Sequence, residues 1–413
     1  MLKKFSLFAL LIVGGLCVVA QQTWVERQSF RDPARLQTVG FSIGNKGYIA
    51  TGTNGISDHL LQDLQEYDPI SNNWKYMANL PSPLRASAVF TLGKKAYITT
   101  GADPSGMNHQ LYVWDQATDS WSTGTPFPSG QSRMAAVGIN YGNRGFIATG
   151  FDMAEKALND IWEYNPFSRT WTRKASLPGS GRCYATGFAI HSKIYIGLGN
   201  NGSSYLKDWW EYDPANNNWK RMSDLPGDAR TGAMGFVSGG KGYIVGGVNF
   251  AFKPLHDVWA FDPILNTWEQ VNLFPGAARG YGVGFNIENK GYIAAGTSTS
   301  GYLFELWECF PETMTQLLIT EDPILNPVRI SPNPFFYRFA LKMRHPYTGL
   351  LELIISNMYG RVVFQRTFNK DEKYIVRCWE IDYLPDGLFI FHVKDASGTV
   401  DYKQTLIHKS FGI

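Results

Sequence analysis

Short runs in which apolar and polar positions alternate, separated by turn residues, fill the first three quarters of the chain, which is the signature of half-buried strands. An apolar segment near Val39 to Ile43 leads through Gly44-Asn-Lys-Gly47 into Gly47-Tyr-Ile-Ala-Thr-Gly52. A loop then reaches Leu64-Gln-Glu-Tyr67, and the Asp68-Pro69 turn leads to Trp74. This unit recurs. An aromatic-isoleucine pair stands at Tyr48, Tyr97, Phe146, Tyr195, Tyr243 and Tyr292, at intervals of 49, 49, 49, 48 and 49. A tryptophan stands at Trp24, Trp74, Trp121, Trp171, Trp219 and Trp268, at intervals of 50, 47, 50, 48 and 49. Two phased series predict six four-stranded antiparallel sheets arranged radially, an all-β architecture that excludes a helical bundle.

The order of repeated residues resembles the kelch repeat: R-x-x-A, a Tyr-Ile strand ending in Gly, a tyrosine strand, Asp-Pro and Trp. The resemblance implies a six-bladed kelch-like β-propeller. The family's Gly-Gly doublet occurs here only at Gly246-Gly247; the other units read Thr51-Gly52, Thr100-Gly101, Thr149-Gly150, Leu198-Gly199 and Ala295-Gly296. Trp24 precedes the first inner strand, whereas the sixth unit ends at Phe310-Pro311 without a tryptophan strand. The segment around Trp24 is therefore expected to complete the sixth sheet and remove the free edges. Five residues after each repeated arginine stand Gly40, Phe90, Gly138, Gly187, Gly235 and Gly284, small at every place but Phe90, where inner strands crowd around the axis. Asp68, Asp115, Asn165, Asp213 and Asp262 each precede the blade tryptophan by six residues and are read as side chains capping their own turns.

Composition adds the compartment. Lys3-Lys4, an apolar run from Phe5 to Leu16 and a cleavage site after Ala20 make residues 1–20 a secretory signal peptide, with a lipoprotein site at Cys17 as the alternative. Its removal takes the formal charge from +3 to +1, which leaves no basic field for nucleic acid, and no later apolar run is long enough to span a bilayer as a helix. Cys183, Cys309 and Cys378 form no framework, and the absence of CxxC argues against zinc or redox centres. No cofactor or metal is expected, and a monomer is.

Candidate chemistry gathers on one face. Arg35, Arg85, Arg133, Arg182, Arg230 and Arg279 recur eleven or twelve residues after a blade tryptophan, and should approach one mouth of the central channel. They could receive an anionic ligand or pair with the recurrent acids Asp63, Asp160, Asp208, Asp257 and Glu305, which Gln110 replaces in the second unit. Loops of the same face carry the nonrepeated His59, His109, Tyr205, Phe250, Phe252, His256 and Tyr302, candidates for specificity toward a protein or glycan. The opposite face, built from short turns, is expected to hold little room for a pocket. No catalytic residue is assigned: loop lengths are uniform and the histidines follow no motif. A binding protein is the leading reading, and a carbohydrate-active propeller enzyme, sialidase-like or epimerase-like, is the alternative.

Periodicity stops at Pro311. A linker over 312–324 and a second β-rich domain over 325–413 follow, with apolar runs at Phe339 to Met343, Leu351 to Ile355, Val362 to Phe364, Leu388 to Val393 and Thr405 to Ile407. These predict a small immunoglobulin-like β-sandwich. Ser331-Pro-Asn-Pro334, Ile355-Ser-Asn-Met-Tyr-Gly-Arg361-Val-Val363, Ile381-Asp-Tyr-Leu-Pro-Asp-Gly-Leu-Phe389 and the Lys403 to Ile407 strand resemble the C-terminal sorting domain of the Bacteroidota type IX secretion route. The resemblance implies export to the exterior or the outer cell surface, with the type IX machinery as a partner.

Overall fold

The computed structural model describes residues 23–310 except 32, 56–58 and 272, and beyond them 328–331, 338–344, 348–370, 374–380, 387–397 and 401–408. The expected signal peptide, the 312–324 linker, the Pro332-Asn333-Pro334 turn and the stretch from Ile381 to Asp386 lie outside the described residues. All regular elements among the described residues are strands, and none is a helix.

In the first unit Val39–Ile43, Lys46–Ala50, Leu64–Asp68 and Asn73–Met77 form an antiparallel sheet in that order. The same arrangement is built by sheets that begin with the inner strands Ala88–Leu92, Val137–Tyr141, Thr186–Ile190, Met234–Ser238 and Val283–Ile287. Side chains of the second strands are almost wholly buried, as Tyr48, Ile49 and Ala50 illustrate. Each sheet has an apolar layer on both faces, so it can be stable only between two neighbours. Around the axis the inner strands come close: a Cβ added to Gly138 would lie 2.3 Å from the Val89 carbonyl oxygen, which is why this position has no side chain.

The last sheet takes its outer strand from the other end of the chain. Thr23–Arg27 pairs antiparallel with Leu306–Phe310, placing Trp24 opposite Cys309. Arg27 donates from Nε and Nη2 to the buried Glu308 carboxylate at 3.1 and 2.9 Å, and Trp24 packs edge-on against Phe274 at 5.0 Å. In the other sheets the outer tryptophan also ties its blade to the preceding segment. The indole nitrogens of Trp74, Trp121, Trp171, Trp219 and Trp268 donate to the carbonyls of Gln28, Ala78, Thr125, Ala175 and Ser223. The Asx turns form as expected: the Asp68, Asp115, Asn165, Asp213 and Asp262 side chains each accept from the backbone N–H two residues on, at 2.9–3.0 Å.

The chain forms two compact units, one within residues 1–317 and one within 318–413. In the second, Val328–Ser331, Arg338–Arg344 and Tyr374–Glu380 form one sheet, and Val362–Lys370, Gly349–Asn357, Gly387–Lys394 and Asp401–His408 form another. Leu341 and Met343 of the first share a buried core with Leu351, Leu353, Ile355, Phe389, Phe391 and Val393 of the second.

Candidate functional site

Loops that enter each inner strand hydrogen-bond with loops that leave each second strand, as when Gly52 N–H donates to the Leu84 carbonyl and Leu84 N–H to that of Leu61. The expected face is thus a physical unit. At its centre the backbone closes a circuit. Gln37 N–H donates to Tyr281, Tyr281 to Gly232, Gly232 to Tyr184, Tyr184 to Ala135, Ala135 to Ala86 and Ala86 back to Gln37, at 2.8–3.1 Å. All six residues have φ between 49° and 62°.

Five of the expected arginines occupy one equivalent position, two residues before that circuit. Arg35, Arg133, Arg182, Arg230 and Arg279 are completely buried. Arg182 shows the pattern: Nη1 and Nη2 grip both Asp208 oxygens at 2.7 and 2.6 Å, Nη1 also donates to the Leu198 carbonyl, and Nε donates to Ser180 O. Asp63, Asp160 and Asp257 hold Arg35, Arg133 and Arg230 in the same two-pronged way, and Glu305 accepts from Arg279. Burial pushes the Asp160, Asp208 and Asp257 carboxyls up, but their arginine partners, together with Trp162, Trp210 and Trp259, outweigh it and hold all three below the usual carboxylate value. Of the two roles open to these arginines, the geometry supports the pairing one: their donors face protein, not solvent.

Arg85 does not belong to the series. The arginine position of the second unit is held by buried Leu84, whose carbonyl accepts from Gly52 N–H as the Arg133 carbonyl does from Gly101 N–H. Arg85 bridges Ala102 where Met134 bridges Phe151. The substitutions are coordinated. Leu84 needs no acid, which explains Gln110, and Asn108 Nδ2 donates to Thr100 O, the carbonyl an arginine caps elsewhere. The one-residue offset also corrects Phe90. Its true counterparts are Phe41, Ile139, Phe188, Phe236 and Phe285, and Val89 stands where the other sheets have glycine. Arg85 is half-buried and lines a cleft of about 650 Å³ with Leu60, Pro83, Met107, Met134 and Met153. A neighbouring cleft of about 410 Å³ is lined by His59 and Tyr76.

The nonrepeated candidates lie on loops of this face, except Tyr302, which belongs to the two-residue strand Gly301–Tyr302 paired with Thr297–Ser298. Phe250 and Phe252 are 66% and 80% exposed, Tyr205 packs edge-on to Phe250 at 5.4 Å, and His59, His109 and His256 are exposed on separate loops. Tyr302 lies over Gly55, where an added Cβ would meet its ring at 2.0 Å. The axial mouth itself is narrowed to about 120 Å³ by residues that sequence reasoning did not single out. Gln37 Nε2 donates to the Tyr184 hydroxyl at 2.7 Å, and Tyr184 packs edge-on to Tyr281 at 5.0 Å. Burial raises both phenols, Tyr281 up to about 12. Only a mismatch between blades marks these positions, whose other occupants are alanine and glycine. At the opposite end of the channel, against expectation, a cavity of about 570 Å³ opens among the inner strands. No cluster of three or more His, Cys, Asp or Glu with the geometry to hold a metal occurs among the described residues.

Residues 86–279 match the KLHDC2/KLHL20/DRC7 Kelch-repeats domain family. The chain is similar to Kelch-like protein 35 of Mus musculus, 29% identical over 157 residues, or 38% of this chain and 25% of that protein. It is also similar to N-acetylneuraminate epimerase of Pasteurella multocida, 28% identical over 123 residues, or 28% of this chain and 31% of that enzyme. The match therefore spans between a quarter and a third of these relatives' own length. The solved structure of YjhT superposes with a TM-score of 0.58 at 14% identity, covering 66% of this chain and 94% of that one, a likeness of fold alone. Repeated sheets, the family match over residues 86–279 and the kelch relatives together support a kelch-repeat protein.

Proposed function

We propose that this is an exported or cell-surface binding protein, a six-bladed propeller that engages a protein or glycan through the loop face, followed by an immunoglobulin-like sorting domain of the type IX route. The observation that carries the binding role is the division of labour on that face. The repeated arginines are buried in internal ion pairs, while blade-specific aromatics such as Phe250 and Phe252 stand in solvent. Repeated residues maintain the fold; the nonrepeated ones are left to select a partner. Their test is a screen of the chain against glycans and envelope proteins, followed by Phe250→Ala and Phe252→Ala. Weakening by more than about tenfold in folded variants supports this face, and unchanged affinity in both refutes it. The motifs at Ile355 to Val363 and Lys403 to Ile407, and a two-sheet unit around them, support the sorting role. A chain lacking 318–413 should fail to reach the exterior of a type IX-competent host; undiminished appearance there would refute the assignment. A second reading, a carbohydrate-active enzyme, is favoured by the similarity to N-acetylneuraminate epimerase. Turnover of a sialic acid or another sugar by the purified chain would establish it over simple binding.

A further inference from the structure

We propose that the axial cavity at the end opposite the loop face is a binding site for a neutral, hydroxyl-rich ligand of mono- or disaccharide size. This goes beyond the loop-face reading and does not depend on it. The cavity, about 570 Å³, falls within the range of small-molecule sites. Its wall has a polar arc and an apolar arc. The fourth residues of the inner strands are Asn286, Ser42, Thr91 and Asn140 in four consecutive sheets around the ring, and Ala189 and Val237 in the remaining two. Asn140 and Asn286 are exposed there, and Ser42 and Thr91 are half-buried.

The backbone adds to this. Every inner strand is at the end of its sheet, so its axis-facing edge has no strand partner and presents peptide N–H and C=O groups to the lumen. No charged residue among the described ones lines the cavity. Three ligand classes can then be compared. A charged ligand would lose hydration without meeting a countercharge. A wholly apolar one would leave the Asn140 amide, the Asn286 side-chain oxygen and the strand edges without partners, although Asn286 Nδ2 itself donates to the Glu288 carbonyl at 3.4 Å. A neutral sugar presents hydroxyls to the polar arc and backbone edges, and its C–H surface to Ala189 and Val237.

The test uses the full chain with maltose and lactose as probes, and glucose against glucuronate as a matched neutral and anionic pair, followed by saturation-transfer NMR titration. At least one neutral disaccharide should bind. Asn140→Leu and Asn286→Leu should each weaken it at least tenfold, Ala189→Phe should abolish it, and glucuronate should bind at least tenfold more weakly than glucose. Thermal unfolding checks that the variants fold, and Ser42→Val and Thr91→Val replace any that do not. Absence of binding by both disaccharides, unchanged binding in the polar-arc variants, or equal binding of glucuronate would overturn the site. Loss of binding in Phe250→Ala with the polar-arc variants unaffected would also overturn it, while leaving the loop-face reading standing.

Discussion

Asp208 has only 16% of its side chain exposed and depends on Arg182 for its charge to be tolerable. Arg182→Ala should therefore destabilise the fold by about 3–5 kcal/mol, measured by denaturant unfolding, because it strands a buried carboxylate. A loss under about 1 kcal/mol would show that the pair is dispensable. The same pairs set an acid limb. Asp160, Asp208 and Asp257 have folded values below the ordinary one, so their contribution is fully present above about pH 4 and is lost as pH falls through the lower folded values. Asp208→Asn should flatten that limb in an unfolding-versus-pH series. Thr149 carries a different stress: a β-branched residue at φ 64°, with its buried Oγ1 lacking a hydrogen-bond partner among the described residues. Thr149→Gly restores the kelch doublet and should raise stability by about 1 kcal/mol, net of the greater chain entropy of glycine. A fall in Tm would refute the strain argument. Residues of this kind were legible because their identity repeats. Gln37, Tyr184 and Tyr281 were not, because nothing repeats there, and Leu84 was hidden by an arginine one place along that kept the spacing within a residue of the series.

Among elements, the Thr23–Arg27 strand carries the greatest consequence for its length. It covers the Leu306–Phe310 edge, brings Arg27 to Glu308 and sets Trp24 against Phe274. Deleting residues 21–27 should leave a five-residue strand edge unpaired and its acid without the arginine, with a lower Tm and concentration-dependent association in sedimentation. A monomer with unchanged unfolding would refute the latch. The location of this strand was readable from a surplus tryptophan at one end of the chain and a missing one at the other. The second unit was readable only in part. Its long apolar runs became strands, but Val328–Ser331 is only four residues long and Tyr374–Glu380 is interrupted by Arg377, so neither carries a clear alternation.

At the scale of the molecule, the repeat unit ends before Leu318 and the later strands have a core of their own. Removal of residues 318–413 should leave the main unfolding transition of the repeat unit within about 2 °C of its place, a shift that corresponds to about 1 kcal/mol in a unit of this size. A larger drop in calorimetry would mean that the repeats rely on the second unit. The six-membered backbone circuit at the loop face has a further, electrostatic consequence. Each peptide unit carries a dipole of about 3.5 D, and a helix adds such dipoles along a line into a terminal field. Here each of the six residues donates to one neighbour and accepts from the other around a closed path, so no N–H or C=O of the circuit is left at a free end. The circuit therefore offers an arriving ion no terminal field of the helix-end kind, and the charge selectivity of this mouth is set chiefly by the side chains around it.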